Sequence, residues 1–215
     1  MKCVSCGHDH NEKFCPECGE KAGVDRITLT SIFSSALGTV TTMDKGFLFN
    51  VKSLLLRPHQ FVQAYIRGKR KGVLNPVSFL IFSTTIYLIV ETLTNKVRGP
   101  GVLNDFSDEY KANLLFRLGH FIRANTKYFW IFSIVPLSNG LKLLFPKYNY
   151  PEHLAISSFI IAQSAIAGLI SYFLFRFPLF FDPITFGMIL WLSFKIYFQR
   201  NIVESVLLSA AALVL

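Results

Sequence analysis

The sequence predicts an all-α integral membrane domain preceded by a small four-cysteine ribbon, and three observations carry that prediction. Apolar residues make up 52% of the 215-residue chain and charged residues only 16%, whereas soluble domains average about 25% charged. The apolar residues come in long blocks rather than in the alternating or striped patterns of a single soluble core. All 4 cysteines fall in two CxxCG units at the N-terminus, Cys3, Cys6 and Gly7, then Cys15, Cys18 and Gly19.

A CxxC turn presents two sulfurs to one point, and glycine relieves crowding where backbone N–H groups turn toward sulfur. Cys3, Cys6, Cys15 and Cys18 therefore suit one tetrahedral metal ion. Zinc is the expected occupant, and iron can fill a similar tetrathiolate site. Four protein ligands leave no open coordination position, so the expected role of the ion is structural. His8 and His10 lie close enough to replace a cysteine but read as solvated loop residues. Residues 1–22 are too short to bury a core and depend on the ion to fold. Free thiolates favour a reducing compartment over disulfide pairing. No apolar signal-peptide core precedes the cysteines, which predicts a cytosolic N-terminus.

Residues 23–72 read as basic, amphipathic, membrane-proximal helices. A short helix starts within 27–33, where Thr or Ser is available as N-cap. Asp44 is expected to cap the next, whose apolar face is Phe47, Leu48, Val51, Leu54 and Leu55, with Lys45 and Lys52 off it. Pro58 suits the first turn of a third helix through Phe61, Val62, Tyr65 and Ile66. These helices are expected in the cytosolic interface, with packing as a small soluble helical layer as the alternative. The run Arg67, Lys69, Arg70 and Lys71 sits just ahead of the first long apolar block, where the positive-inside rule and anionic headgroups place basic residues. A formal charge of +9 could indicate nucleic acid, but eleven of the 22 Lys and Arg precede Val73. Residues 1–22 hold one aromatic, Phe14, so no nucleic-acid partner is expected.

Residues 73–215 form the transmembrane domain, with about four to five spans expected at 73–93, 128–145, 153–175, 178–198 and 202–215. The second contains Pro136, Asn139, Gly140 and Lys142, which predicts a kinked or partly re-entrant segment. The third is rich in Ala, Ser and Gly, which let helices approach closely. The last has 14 residues, about 21 Å as a helix, short of the roughly 30 Å hydrocarbon core. A polar stretch at 94–127 carries one further amphipathic pattern, through Phe106, Tyr110, Leu114, Leu118, Phe121 and Ile122. With the N-terminus inside, fifteen Lys and Arg fall inside and seven outside, the expected bias.

Charge inside apolar stretches is costly and marks candidate sites. Lys142, Glu152, His153, Asp182 and Lys195 are the candidate polar path between spans. Glu152-His153 could relay protons or hold a second metal, or simply begin a helix, with Glu favoured in the first turn. Glu91, Lys142, Lys195 and Glu204 lie near enough to span ends to snorkel, and Asp182-Pro183 suits a helix cap. His59 and His120 show no evident partners, and no internal repeat is read. No nucleotide loop, HExxH or GxSxG pattern is present, so no catalytic residues are expected.

The cysteine knuckles, Asp44-Lys45-Gly46-Phe47-Leu48, Leu56-Arg57-Pro58, Gly68-Lys69-Arg70-Lys71, Asn75-Pro76 and Glu152-His153 occur together in this order. With them the chain resembles an uncharacterised group of bacterial membrane proteins, domain-of-unknown-function family 3667. The resemblance covers nearly the whole chain. It implies an N-terminal zinc ribbon ending Cys-Gly-Gln-Lys-Ala, a basic helical stretch, several spans and a bacterial inner-membrane location, and no activity. Here the ribbon reads Cys18-Gly19-Glu20-Lys21-Ala22, with Glu20 in place of Gln, outside the ligand set. The expected function is a non-enzymatic membrane protein with one structural zinc and lipid contacts, whose cytosolic ribbon docks a protein partner or regulates the membrane body. A small transporter or channel-like protein is the alternative.

Overall fold

A computed structural model describes residues 1–22, 27–32, 43–70, 72–97, 118, 121, 125, 128, 130–175, 179 and 182–197. Among them, six helices follow the cysteine-bearing segment: α1 (Met43–Leu56), α2 (Pro58–Ile66), α3 (Pro76–Val97), α4 (Ile134–Leu144), α5 (Tyr150–Phe175) and α6 (Pro183–Tyr197). The expected fifth span at 202–215, Lys71, and most of the amphipathic stretch through Phe106 lie outside the described residues.

Local chemistry sets where these helices start and stop. At residues 29–32 a single turn is capped reciprocally: the Ser31 N–H donates to Thr28 Oγ1 at 3.2 Å, and the Thr28 N–H donates to Ser31 Oγ at 3.1 Å. Helix α1 begins at Met43, which places Asp44 inside its first turn rather than at the cap. Pro58 opens α2, as its fixed φ favours. Helix α2 ends in a Schellman turn: Gly68 sits at φ +105°, Lys69 N–H donates to the Ala64 carbonyl and Gly68 N–H to that of Tyr65. Asn75 then caps α3, its Oδ1 taking the Val77 N–H at 3.0 Å.

Helix α5 begins at Tyr150, three residues before the expected start, because Glu152 Oε2 accepts the Asn149 N–H at 2.7 Å in a capping-box arrangement. Helix α4 is confined to 134–144: Pro136 has no N–H for the Phe132 carbonyl, and the helix is broken at Ser133. The regular helix has 11 residues, about 17 Å, and helical residues 130–132 precede it across the turn at Ser133, within the expected 128–145 segment. Helix α6 has 15 residues, about 22 Å, against the expected 178–198. Two helices in the described residues are long and apolar enough to cross a membrane, at 76–94 and 150–175.

Helix α5 is the hub. It packs against α3, α4 and α6 and is buried along most of its length. Phe79 and Tyr87 of α3 meet Phe159 and Tyr172 of α5 in the same order, so these two helices run parallel. His153 meets Tyr197 at one end of α5, and Ser171 meets Asp182 at the other, so α6 runs antiparallel. A Cβ at Gly168 would stand 2.5 Å from Leu179 Cδ1 and 2.6 Å from Thr185 Oγ1, so this glycine permits the close approach of α6 to α5. The small residues expected to serve close packing are used here.

Helices α1 and α2 pack onto the bundle at the end where α5 begins. Phe61 and Tyr65 both stand edge-on to Phe159, with ring centroids 5.2 Å apart. His59 Nδ1 lies 2.8 Å from the Ile196 carbonyl, which can only accept, so Nδ1 carries the proton. His59 thus has a partner that sequence reasoning missed. The apolar face of α1 is narrower than expected. Phe47, Val51 and Leu54 turn inward, whereas Leu48 and Leu55 are exposed beside Phe49 and Leu56.

The connector from α2 to α3 is tied by three side-chain hydrogen bonds. Asn50 Oδ1 accepts the Leu74 N–H at 3.1 Å, and Asn50 Nδ2 donates to the Leu74 carbonyl at 3.0 Å. Asn75 Nδ2 donates to the Ile32 carbonyl at 3.1 Å. Asn50 and Leu74 are both fully buried. Asn50→Ala strands a buried donor and acceptor and should cost roughly 2–4 kcal/mol, read as a lowered midpoint in thermal unfolding of the detergent-solubilised protein. Leu48→Ala on the outward face should leave that midpoint close to wild type, and equal midpoints for both variants would contradict the clamp.

Candidate metal centre

The two cysteine units are one structure built twice at an offset of twelve residues. Cys3 N–H bonds to the His8 carbonyl and Cys15 N–H to that of Glu20, at 2.9 and 2.8 Å. Gly7 N–H returns to Cys3 and Gly19 N–H to Cys15, at 3.0 and 2.8 Å. His10 pairs with Met1 as Ala22 pairs with Lys13, and the bridge Lys2–Asp9 matches Phe14–Lys21. No repeat was expected from the sequence, although the CxxCG spacing carries it. Gly7 and Gly19 have φ of +80° and +69°, the left-handed region that lets the N–H turn back.

Folding the two knuckles together brings the four sulfurs within 4.8 Å of one another. Cys3 and Cys18 Sγ are 3.4 Å apart, Cys6 and Cys15 Sγ 3.5 Å. Four sulfurs each about 2.3 Å from one tetrahedral centre stand about 3.8 Å apart, so the cluster fits a metal ion. The electrostatics agree. The N–H groups of Cys6 and Ser5 hold the Cys3 thiol down at about 6. At Cys6 the His8 N–H also favours thiolate, but desolvation and the neighbouring sulfurs outweigh it and push the group up to about 12. At Cys18 the Glu20 N–H is likewise overcome, and the thiol is raised. Four thiolates this close need a cation among them before all can ionise.

His8 and His10 stay out of the sulfur cluster. His8 Nδ1 lies 3.8 Å from Glu17 Oε1, and its ring stacks on His10. Among the described residues the four cysteines are the group that could hold a metal. Glu152-His153 gathers no further ligand there: Glu152 caps α5, and His153 Nδ1 shares a 2.7 Å hydrogen bond with the Tyr197 hydroxyl.

The candidate polar path does not converge. Glu152 and His153 lie at the start of α5, while Asp182 meets Ser171, 18 residues or about 27 Å further along that helix. Asp182 is fully buried, and both its oxygens are occupied. Oδ1 accepts from Ser171 Oγ at 2.7 Å and Ile184 N–H at 3.2 Å, and Oδ2 accepts from the Thr185 N–H and hydroxyl. It caps α6 and clamps it to α5. Lys142 and Lys195 are exposed, with Lys142 Nζ 5.3 Å from the Tyr150 ring centroid.

The basic run also divides. Arg67 and Lys69 are exposed, and Arg67 donates to Gln63 Oε1 at 3.2 Å. Arg70 instead turns back, its guanidinium 5.9 Å from the Tyr65 ring centroid. Burial pushes the Tyr65 hydroxyl up to about 12 against the pull of Arg70.

Residues 44–88 match the family model described as Protein of unknown function (DUF3667). The match covers most of α1, all of α2, the connector and the first half of α3, and leaves the cysteines outside. No curated protein and no solved structure matches the chain.

Gly7 has open space where a Cβ would stand, so Gly7→Ala costs only its backbone strain, about 1–2 kcal/mol for a left-handed residue. Its metal affinity should fall about tenfold in competition against a chromophoric chelator, and unchanged affinity would contradict the knuckle geometry.

Proposed function

We propose that this chain, which matches the DUF3667 family model over residues 44–88, is a non-enzymatic integral membrane protein with a structural metal module. The observation that carries the reading is the closed four-sulfur cluster at the end of a chain whose long helices are apolar enough to span a bilayer. Four sulfurs satisfy a tetrahedral ion and leave no position for substrate or water, which favours a structural role over a catalytic one. Zinc is the ion that a short tetrathiolate module most commonly takes.

Lipid exposure accounts for the outward apolar residues. Helix α3 presents Ile81, Ile86, Ile89 and Leu93, and the far end of α5 presents Ile170, Phe173, Leu174 and Phe175. Soluble monomers rarely carry large contiguous apolar patches. The module and the α1–α2 layer sit at the end where α5 begins; the basic bias of the sequence favours the cytosolic side for that end, and the family resemblance implies a bacterial inner membrane. There the module docks a protein partner or regulates the membrane body, with Arg67 and Lys69 toward anionic headgroups.

Elemental analysis of the detergent-purified protein should find one zinc per chain. Cys6→Ser should abolish that stoichiometry and leave the chain in the membrane fraction. Full metal content in Cys6→Ser would overturn the assignment.

A further inference from the structure

Glu20 makes a contact that metal binding does not require. It follows Cys18 by two positions, its carbonyl takes the Cys15 N–H at 2.8 Å, and the Phe14–Lys21 bridge lies beside it. Its backbone is thereby fixed to the frame that carries the sulfurs. Its side chain is buried, and Oε1 accepts the Arg70 N–H at 3.4 Å, 50 residues along the chain.

Arg70 lies in the connector just past the Schellman turn, and Val73 N–H returns to its carbonyl at 3.2 Å across a turn with Gly72 at φ +73°. The Arg70 side chain is folded over Tyr65, and its Nε is closed off from solvent without a hydrogen-bond partner. An arginine nitrogen in that state lacks the water that an open loop would give it. The loop is held against this preference, and the Glu20 carboxylate holds it from the metal module.

We propose that the metal module is a latch on the basic loop at residues 67–70. With the ion bound, the second knuckle keeps Glu20 on the Arg70 N–H, and Arg70 stays withdrawn over Tyr65. With the ion removed, the 22-residue module loses its fold, Glu20 leaves the connector, and Arg70 joins Arg67 and Lys69 in facing anionic lipid phosphates. The latch rests on the reading of residues 1–22 as a metal module in a membrane-bound chain, and adds to it that metal occupancy is transmitted to the connector.

Limited trypsin digestion of the full-length protein in detergent tests this, with cleavage after Lys69 and Arg70 followed by mass spectrometry and metal content measured on the same samples. Chelation should speed cleavage there on the order of tenfold, the scale for losing a hydrogen bond to a charged group. Glu20→Ala should do the same with its metal still bound. Glu20→Gln, which keeps an acceptor oxygen, should stay close to wild type. Metal-loaded Glu20→Ala cleaved as slowly as wild type would overturn the latch and leave the metal module standing. A wild-type chain that binds no metal would overturn both.

Discussion

The fold depends on how the chain passes from its peripheral helices into the bundle, and Asn50 governs that passage. Leu74 lies between a turn and a helix, where no regular ladder supplies partners for its backbone. It is also buried, so an unpaired N–H and C=O would each carry the desolvation cost of a stranded polar group, about 1–3 kcal/mol. One asparagine amide satisfies both. One residue on, Asn75 caps α3 and reaches back to Ile32. These two side chains bind α1, the turn at 29–32 and the start of α3 into one unit. The family match at 44–88 contains Asn50, Leu74 and Asn75 together.

The rest of the architecture follows from that unit. With α1 and α2 fixed to the start of α3, Phe61, Tyr65 and Phe79 converge on Phe159 of α5. His59 adds a bond to the end of α6, so the peripheral layer touches two bundle helices as well as the connector. The four-cysteine module comes to rest on the same connector through Glu20. The cysteine cluster, the basic loop and the start of α3 thus gather at one end of α5. The other end is closed by Asp182, whose cap on α6 and bond to Ser171 hold two apolar helices together.

Patterns local in sequence were legible. The CxxCG spacing gave the sulfur cluster, Pro58 marked a helix start, Pro136 marked the break before α4, and Asp182-Pro183 marked the cap of α6. The long apolar blocks gave α3 and α5 within a few residues. What could not be read is what joins distant segments. Glu20 and Arg70, Asn50 and Leu74, and His59 and Ile196 pair across 50, 24 and 137 positions, and no periodicity encodes them. The candidate polar path is divided for the same reason: its residues share a chemistry, but Asp182 lies at the other end of α5 from Glu152 and His153, and Lys142 and Lys195 are exposed. The inward face of α1 was drawn too wide because hydrophobicity alone does not separate residues packed on protein from residues turned outward, and Leu48 and Leu55 are as apolar as Leu54.

The Leu74 amide offers the most direct test of this account. Hydrogen exchange on the full-length protein, resolved to single residues, reads whether its N–H is bonded although it lies outside any helix. Asn50 Oδ1 as its acceptor predicts protection comparable to that of amides in the middle of α5. Exchange at the rate of an open loop, with α3 and α5 still protected, would show that the connector is unclamped and that the peripheral layer is not held to the bundle in this way.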